Sequence, residues 1–228
     1  MIKVVSPRLK SVLECIKKCR VLADIGTDHA YLPIEAVRAG LCETAIACDI
    51  SPGPIEMAKS NIAYAGLTFS GRIQVRRGDG LKPIAVGEAE CITITGMGGK
   101  AIMDILSGSP EKAKNSRLIL GAQHDLEELR RFLHTNLYNI LEEKLVRDDS
   151  RYYAIIVAQS ADSSEIEAWT DAEYFIGKAK CPDLLPYLRK QHKKILGYIN
   201  SITNEKTLKL AETKIKWLEE KICSQQNG

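Results

Sequence analysis

The stretch Arg20-Val21-Leu22-Ala23-Asp24-Ile25-Gly26-Thr27-Asp28-His29-Ala30-Tyr31-Leu32-Pro33 decides the fold. An apolar run this short, closed by an acid and a glycine, reads as a buried strand over 20–26. Gly26 lets the backbone turn sharply beside a ligand, and the pattern from His29 to Ala39 predicts a helix stopped at Gly40. Working outward, the same unit recurs. Thr44–Ile50 is a strand and Pro52–Ala65 a helix stopped by Gly66. Arg72–Arg77 is a strand ending at Gly78-Asp79-Gly80. Ala89–Thr95 is a strand ending at Gly96-Met97-Gly98-Gly99, with a helix through Leu106. Arg117–Leu120 is a strand followed by a helix over 126–137. Upstream, Ser6 and Pro7 cap an amphipathic helix carrying Leu9, Val12, Leu13 and Ile16. Such alternation specifies a parallel sheet with right-handed crossovers and helices on both faces.

The rhythm then changes. Tyr138–Val146 and Tyr152–Ala158 are strand-like and separated only by residues 147–151, which forces an antiparallel hairpin. The expected fold is therefore α/β, a Rossmann-like class I S-adenosylmethionine (SAM)-dependent methyltransferase sheet, parallel with an antiparallel C-terminal hairpin. Ala161–Ser164 reads as a linker, dividing the chain into a methyltransferase domain (1–160) and a helical appendage (161–228). In the appendage, Leu188, His192, Ile195, Ile199 and Ile202 step by heptad spacing, as do Leu208, Ala211, Ile215, Leu218 and Ile222. Two helices folded back as a coiled-coil-like hairpin would share that apolar seam. From Leu184 to Leu218, eight Lys/Arg stand against two acids, which makes the appendage the candidate surface for a phosphate backbone.

Composition narrows the class. The chain has 228 residues, 45% apolar and 27% charged, as in an ordinary globular protein, and a net charge of +3 that by itself proves no nucleic-acid partner. Seven cysteines, odd in number and without C-x-x-C spacing, read as reduced thiols and neither a disulfide framework nor a metal cluster. Met1-Ile-Lys-Val-Val-Ser lacks an apolar leader and no run of about 18 apolar residues occurs. A cytoplasmic protein with no membrane partner is expected, its oligomeric state open with a monomer favoured.

The residues after the first strand point to a cofactor. A dinucleotide-binding loop brings glycine backbone onto a pyrophosphate, but its second glycine position is Asp28 here, and a carboxylate repels that dianion. SAM has no phosphate and carries an ammonium and a sulfonium, which Asp24 and Asp28 favour. Asp49, with Ile50 beside it, ends the second strand where an acid can accept from ribose hydroxyls. Asp79, between Gly78 and Gly80, is placed for the exocyclic amine of the cofactor's adenine. Gly96, Met97 and Gly98 complete the cofactor set, and the glycines leave open space for a flat base to slide in.

Asp24-Ile-Gly-Thr-Asp-His-Ala-Tyr-Leu-Pro33, Arg76-Arg-Gly-Asp-Gly-Leu81 and Ile92-Thr-Ile-Thr-Gly-Met-Gly-Gly99 together closely resemble the bacterial tRNA (adenine(22)-N(1))-methyltransferases, the TrmK family. The resemblance spans residues 1–160, and the helical extension is similar in kind. It implies methyl transfer from SAM to N1 of an adenine in the tRNA D-arm, with the appendage helping to hold the tRNA. One departure stands out: the family carries Gln-Pro-Asn after the fifth strand, where this chain reads Gly121-Ala122-Gln123-His124. On this reading Asp28 stabilises charge developing on the base, while His29 and Tyr31 stack on it or hydrogen-bond it. Both also fit helix-start residues packed against the sheet. Arg8, Tyr31, Gly99, Gln123, Arg189, Lys190, Lys193 and Lys194 are the expected substrate contacts, and no metal is expected. Rival readings are a non-catalytic SAM- or RNA-binding module, a methyltransferase for another RNA or small molecule, and a nicotinamide-dependent dehydrogenase.

Overall fold

A computed structural model describes residues 6–67 and 71–226; the stretch Met1–Val5, on which the absence of a leader was read, lies outside them. Helix α1 (Pro7–Cys15) precedes β1 (Cys19–Ile25), α2 (Tyr31–Arg38), β2 (Cys42–Asp49), α3 (Pro52–Tyr64) and β3 (Ile73–Arg77). Then come β4 (Cys91–Met97), α4 (Gly99–Ser107), α5 (Pro110–Ala113), β5 (Arg117–Ala122) and α6 (Leu126–Thr135). The last elements are β6 (Tyr138–Asp148), β7 (Arg151–Ser160), α7 (Asp171–Ile176), α8 (Leu184–Tyr198) and α9 (Glu205–Gln226).

The seven strands lie in the order β3-β2-β1-β4-β5-β7-β6. β1 pairs in parallel with β2 and β4, β2 with β3, and β4 with β5, whereas β7 is antiparallel to both β5 and β6. Successive side chains of a strand point to opposite faces, so each apolar strand feeds two cores. Leu22, Ala45, Ile119 and Ile155 pack under α1–α3, and Ala23, Ile46, Leu118 and Ile156 under α4–α6. Ser6 caps α1 as expected, its hydroxyl accepting from the Leu9 N–H at 3.3 Å. The edge strand β6 breaks register with β7 between Ile140 and Glu142, a bulge that leaves Leu141 48% exposed.

Three expectations are corrected. Helix α2 begins at Tyr31 and not at His29, because Asp28 and Ala30 take positive φ (28° and 55°) and the Ala30 N–H closes a turn on the Thr27 carbonyl at 2.7 Å. Ala161–Ser164 is no loose linker. The Ala161 N–H donates to the Leu137 carbonyl at 2.9 Å, and Asp162 and Glu165 form a capping box on a short 3₁₀ turn. The third correction is α7, which the heptad reading passed over and which packs against α6 and α9.

This packing is organised by a buried ion pair. Arg130 on α6 and Glu143 on β6 are both buried, with Nε and Nη2 donating to Oε1 at 3.0 and 2.5 Å. Arg130 Nη1 also donates to the carbonyls of Tyr174 and Phe175 at 2.7 and 3.1 Å, and the Lys178 N–H donates to Glu143 Oε2 at 2.7 Å. Gly177, at φ 85°, threads between them; a Cβ there would lie 2.5 Å from both Arg130 Nη2 and Glu143 Oε2. Beyond it, α8 and α9 fold back on each other, bridged by His192 and Glu219 at 3.1 Å. Their shared core of Leu184, Leu188, Ile195, Ala211 and Leu218 rests on Leu145 of β6 and Tyr152 of β7. Glu143→Ala strands a buried guanidinium and should cost about 3–5 kcal/mol in urea unfolding, while Arg130→Met with Glu143→Leu should recover much of that loss.

Candidate cofactor and substrate site

In an open α/β sheet the ligand crevice lies beyond the carboxyl ends of the strands, where the strand order reverses. Here that point is between β1 and β4, and a cavity of about 1080 Å³ opens there. Arg8 of α1, Asp24 to Asp28 after β1, Tyr31 of α2, Asn61 of α3, and Thr95 and Gly96 of β4 line parts of it.

Asp24 forms its floor. It is 5% exposed, and Oδ1 accepts from the Thr93 hydroxyl at 2.7 Å. Burial pushes its carboxyl above the ordinary carboxylate range; the Thr93 bond opposes this, and Asp49 nearby reinforces it. A buried carboxylate in this state gains from a cationic partner, which fits the ammonium of the expected cofactor. The turn above it is tight. The N–H groups of Gly26 and Thr27 both donate to the Cys48 carbonyl at 2.9 Å, and Gly26 sits at φ 75°. At φ 75° Gly26 adopts a conformation that side-chain-bearing residues rarely take, and Met97 lies over it, its methyl 2.2 Å from where a Cβ would stand.

Asp28 stands at the cavity rim, its side chain 71% exposed and its Oδ2 3.3 Å from His29 Nε2. The His29 ring stacks on Tyr31 at 5.2 Å between centroids, and its carbonyl accepts from the Asn61 amide at 2.9 Å. Arg8 lies within the cavity mouth, its guanidinium 4.9 Å from the Tyr153 ring centre. The nearest atom to a Cβ on Gly96 would be Arg8 Nη1 at 3.8 Å, so Arg8 faces the β4 loop from above.

The adenosine half of the expected set lies on the neighbouring strand ends, outside that cavity's lining. Asp49 Oδ1 accepts from the Ser51 N–H at 2.8 Å, and Ile50 is 59% exposed beside it. Asp79 pairs with Lys82 at 2.6 Å. Gly78 passes under Pro83, and Gly80, at φ 54°, packs against Ile105.

The glycine loop after β4 is used differently from the expectation. Gly96 does face the cavity, but the space at Gly98 holds the His124 ring, which a Cβ would approach to 2.1 Å. Gly99 is buried, and a Cβ there would lie 2.5 Å from the Asp125 carbonyl. These two glycines admit the loop after β5, so Gly99 is not presented to a substrate. Gln123 holds the same loop, donating its side-chain amide to the Gly96 carbonyl at 3.3 Å. On α8, Arg189, Lys193 and Lys194 are exposed, while Lys190 reaches back to the Ser150 carbonyl at 3.2 Å. Lys214, part of the basic excess of the appendage, is spent on docking α9, pairing with Glu127 of α6 at 2.8 Å.

Sequence reasoning missed Thr93, Tyr153 and His124. Thr93 had a signal: a hydroxyl set between Ile92 and Ile94 in a buried strand needs a buried acceptor. The raised Asp24 carboxyl also has a stability consequence. Its ionised form is penalised in the folded chain, so the penalty is full above its folded pKa and vanishes below the unfolded one. Asp24→Asn should therefore raise the melting temperature at pH 7, with the gain shrinking towards zero as pH falls through the acid range.

A family profile described as a methyltransferase domain matches residues 5–156. Over 158 residues the chain is 40% identical to the Bacillus subtilis (strain 168) tRNA (adenine(22)-N(1))-methyltransferase, covering 69% of this chain and 66% of that protein, just under two thirds of its length. Alignment with the crystal structure of the B. subtilis m1A22 tRNA methyltransferase TrmK reaches further, with a TM-score of 0.83 at 33% identity over 95% of this chain and 98% of that one. The structure of M. capricolum TrmK in complex with S-adenosyl-homocysteine gives a TM-score of 0.83 at 27% identity, covering 94% and 96% of the two chains. With a methyltransferase-domain profile over residues 5–156 and this likeness to TrmK along its length, the chain belongs to the methyltransferase-domain family, in its tRNA (adenine(22)-N(1))-methyltransferase (TrmK) branch.

Proposed function

We propose that this chain is a SAM-dependent methyltransferase that methylates N1 of an adenine in tRNA, at position 22 in the D-arm, in the cytoplasm. The observation that carries the reading is the buried Asp24 carboxylate beneath the Gly26 turn, at the switch point of a TrmK-type sheet. A phosphate-bearing dinucleotide would meet Asp28 at that turn, whereas a ligand with an ammonium and a sulfonium meets complementary charge.

When bound, SAM supplies an electrophilic methyl group. The chain's own residues do the rest. Asp24 holds the ammonium, Asp49 takes the ribose hydroxyls beside Ile50, and Asp79 the adenine amine in exchange for Lys82. The target adenine leaves its stack to expose N1, a rearrangement costing a few kcal/mol that the α8 cations and Arg8 offset by gripping the RNA. N1 already carries a lone pair, so no base is needed to deprotonate it. Catalysis is then alignment together with stabilisation of the positive charge that grows on the base. Asp28 at the rim faces that charge, and the stacked His29–Tyr31 pair gives the ring a flat surface to lie against.

Mass spectrometry of tRNA incubated with enzyme and SAM should find 1-methyladenine at a single D-arm position; unmodified tRNA would defeat the reading. Asp28→Ala should lower kcat by about 10²-fold or more while calorimetric SAM binding persists. Replacing both Lys193 and Lys194 by alanine should weaken tRNA binding and reduce the slope of log K against log salt by roughly one unit for each phosphate left unneutralised.

A further inference from the structure

The strand order divides the crevice. Asp24, Asp49 and Asp79 occupy the ends of β1, β2 and β3, which leaves the ends of β4 and β5 and the start of the antiparallel β7 for the methyl acceptor. On that side stands a histidine–carboxylate pair that the mechanism above does not use. His124 Nδ1 is 2.7 Å from Asp125 Oδ2, and the His124 side chain is 68% exposed. Asp125 occupies the N-cap of α6 at φ 57°, a left-handed conformation that few residues other than glycine, asparagine and aspartate adopt. Its carboxylate makes no capping bond to that helix. It lies instead on His124, and 3.4 Å from the Lys100 N–H at the start of α4. The ring is fixed from below as well. It fills the space over Gly98, and the His124 carbonyl accepts from the Gly99 N–H at 2.9 Å. Gln123 ties the same loop to the carbonyls of Met97 and Gly96, and Gly96 lines the cavity.

A carboxylate can only accept, so Nδ1 carries the proton facing Asp125, and in the neutral imidazole Nε2 then offers a lone pair. We propose that His124 Nε2 accepts a hydrogen bond from the exocyclic amine of the target adenine, with Asp125 as its positioning residue, and that this contact selects adenine over guanine. The inference rests on the adenine-N1 reading above. As the bond from N1 to the methyl carbon forms and the carbon–sulfur bond breaks, its electron pair passes to sulfur and the base gains one positive charge. That charge is shared with the exocyclic nitrogen, whose N–H becomes a stronger donor, so an acceptor there binds the transition state better than the ground state. No proton needs to move. Guanine would set a carbonyl oxygen against the Nε2 lone pair, and its N1 already carries hydrogen.

The test compares the SAM-loaded enzyme on two RNAs, with adenine or with purine, which lacks the amine, at the target nucleotide. His124→Ala should lower kcat/KM on the adenine RNA by about 10- to 100-fold and leave the purine RNA unchanged, so that the wild-type preference collapses. His124→Gln, which keeps an acceptor, should restore part of it. Asp125→Asn should shift the ¹⁵N resonances of His124 towards a tautomer mixture and lower kcat on adenine without a matching change in KM. Equal losses on both RNAs, or no loss on either, would overturn the role of His124 alone. A wild-type enzyme that forms no 1-methyladenine would overturn the adenine reading as well.

Discussion

The bond between the Thr93 hydroxyl and the Asp24 carboxylate joins β1 to β4, the two strands that flank the switch point. Around it the crevice takes its charge and shape. A carboxylate this deeply buried is tolerated only with a hydrogen-bond donor beside it, and it becomes favourable only when a cation arrives. Its ionised form is thus a source of local instability in the folded chain. The glycine turn lies above it with Met97 over Gly26, and the carboxylate opens onto the cavity.

The strand ends were legible because each one couples a buried apolar run to an acid or a glycine, as at Asp24-Ile-Gly26, Asp49 and Gly78-Asp79-Gly80. Strand interiors obey a simple rule of burial, and these boundaries fell within a residue or two of the expectation. What stayed hidden depends on contacts between distant segments. Gly98 and Gly99 looked like room for a base, but two glycines cannot say whether a ligand or another loop fills the space they leave. Here the filler is His124-Asp125, more than twenty residues away. The hairpin was also read correctly, and its two runs hint at which strand sits inside, since 152–158 is apolar throughout whereas Glu142-Glu143-Lys144 interrupts the other. Pairing of Ala122 with Ala154 puts β7 there and sends β6 to the edge.

The segment between sheet and helical hairpin illustrates the same limit. A polar Ala-Asp-Ser-Ser run reads as a linker, and nothing in it tells that the chain a little further on is gripped by Arg130 and Glu143. Those two side chains organise the carbonyls of Tyr174 and Phe175 and the N–H of Lys178, so the connection is held to the sheet through its own backbone. With Lys214 on Glu127, this fixes where α8 presents its cations relative to the cavity.

The bulge in β6 has a bearing on self-association. A long strand at the rim of a sheet offers its unpaired backbone groups to any similar strand that drifts past, and β6 has eleven residues. The extra residue at Leu141 bends that rim and breaks the regular spacing an incoming strand would have to match. At the opposite rim, β3 is only five residues long and carries Arg76 and Arg77. Neither border is thus a good template for ribbon-like growth, and the sheet is kept to itself.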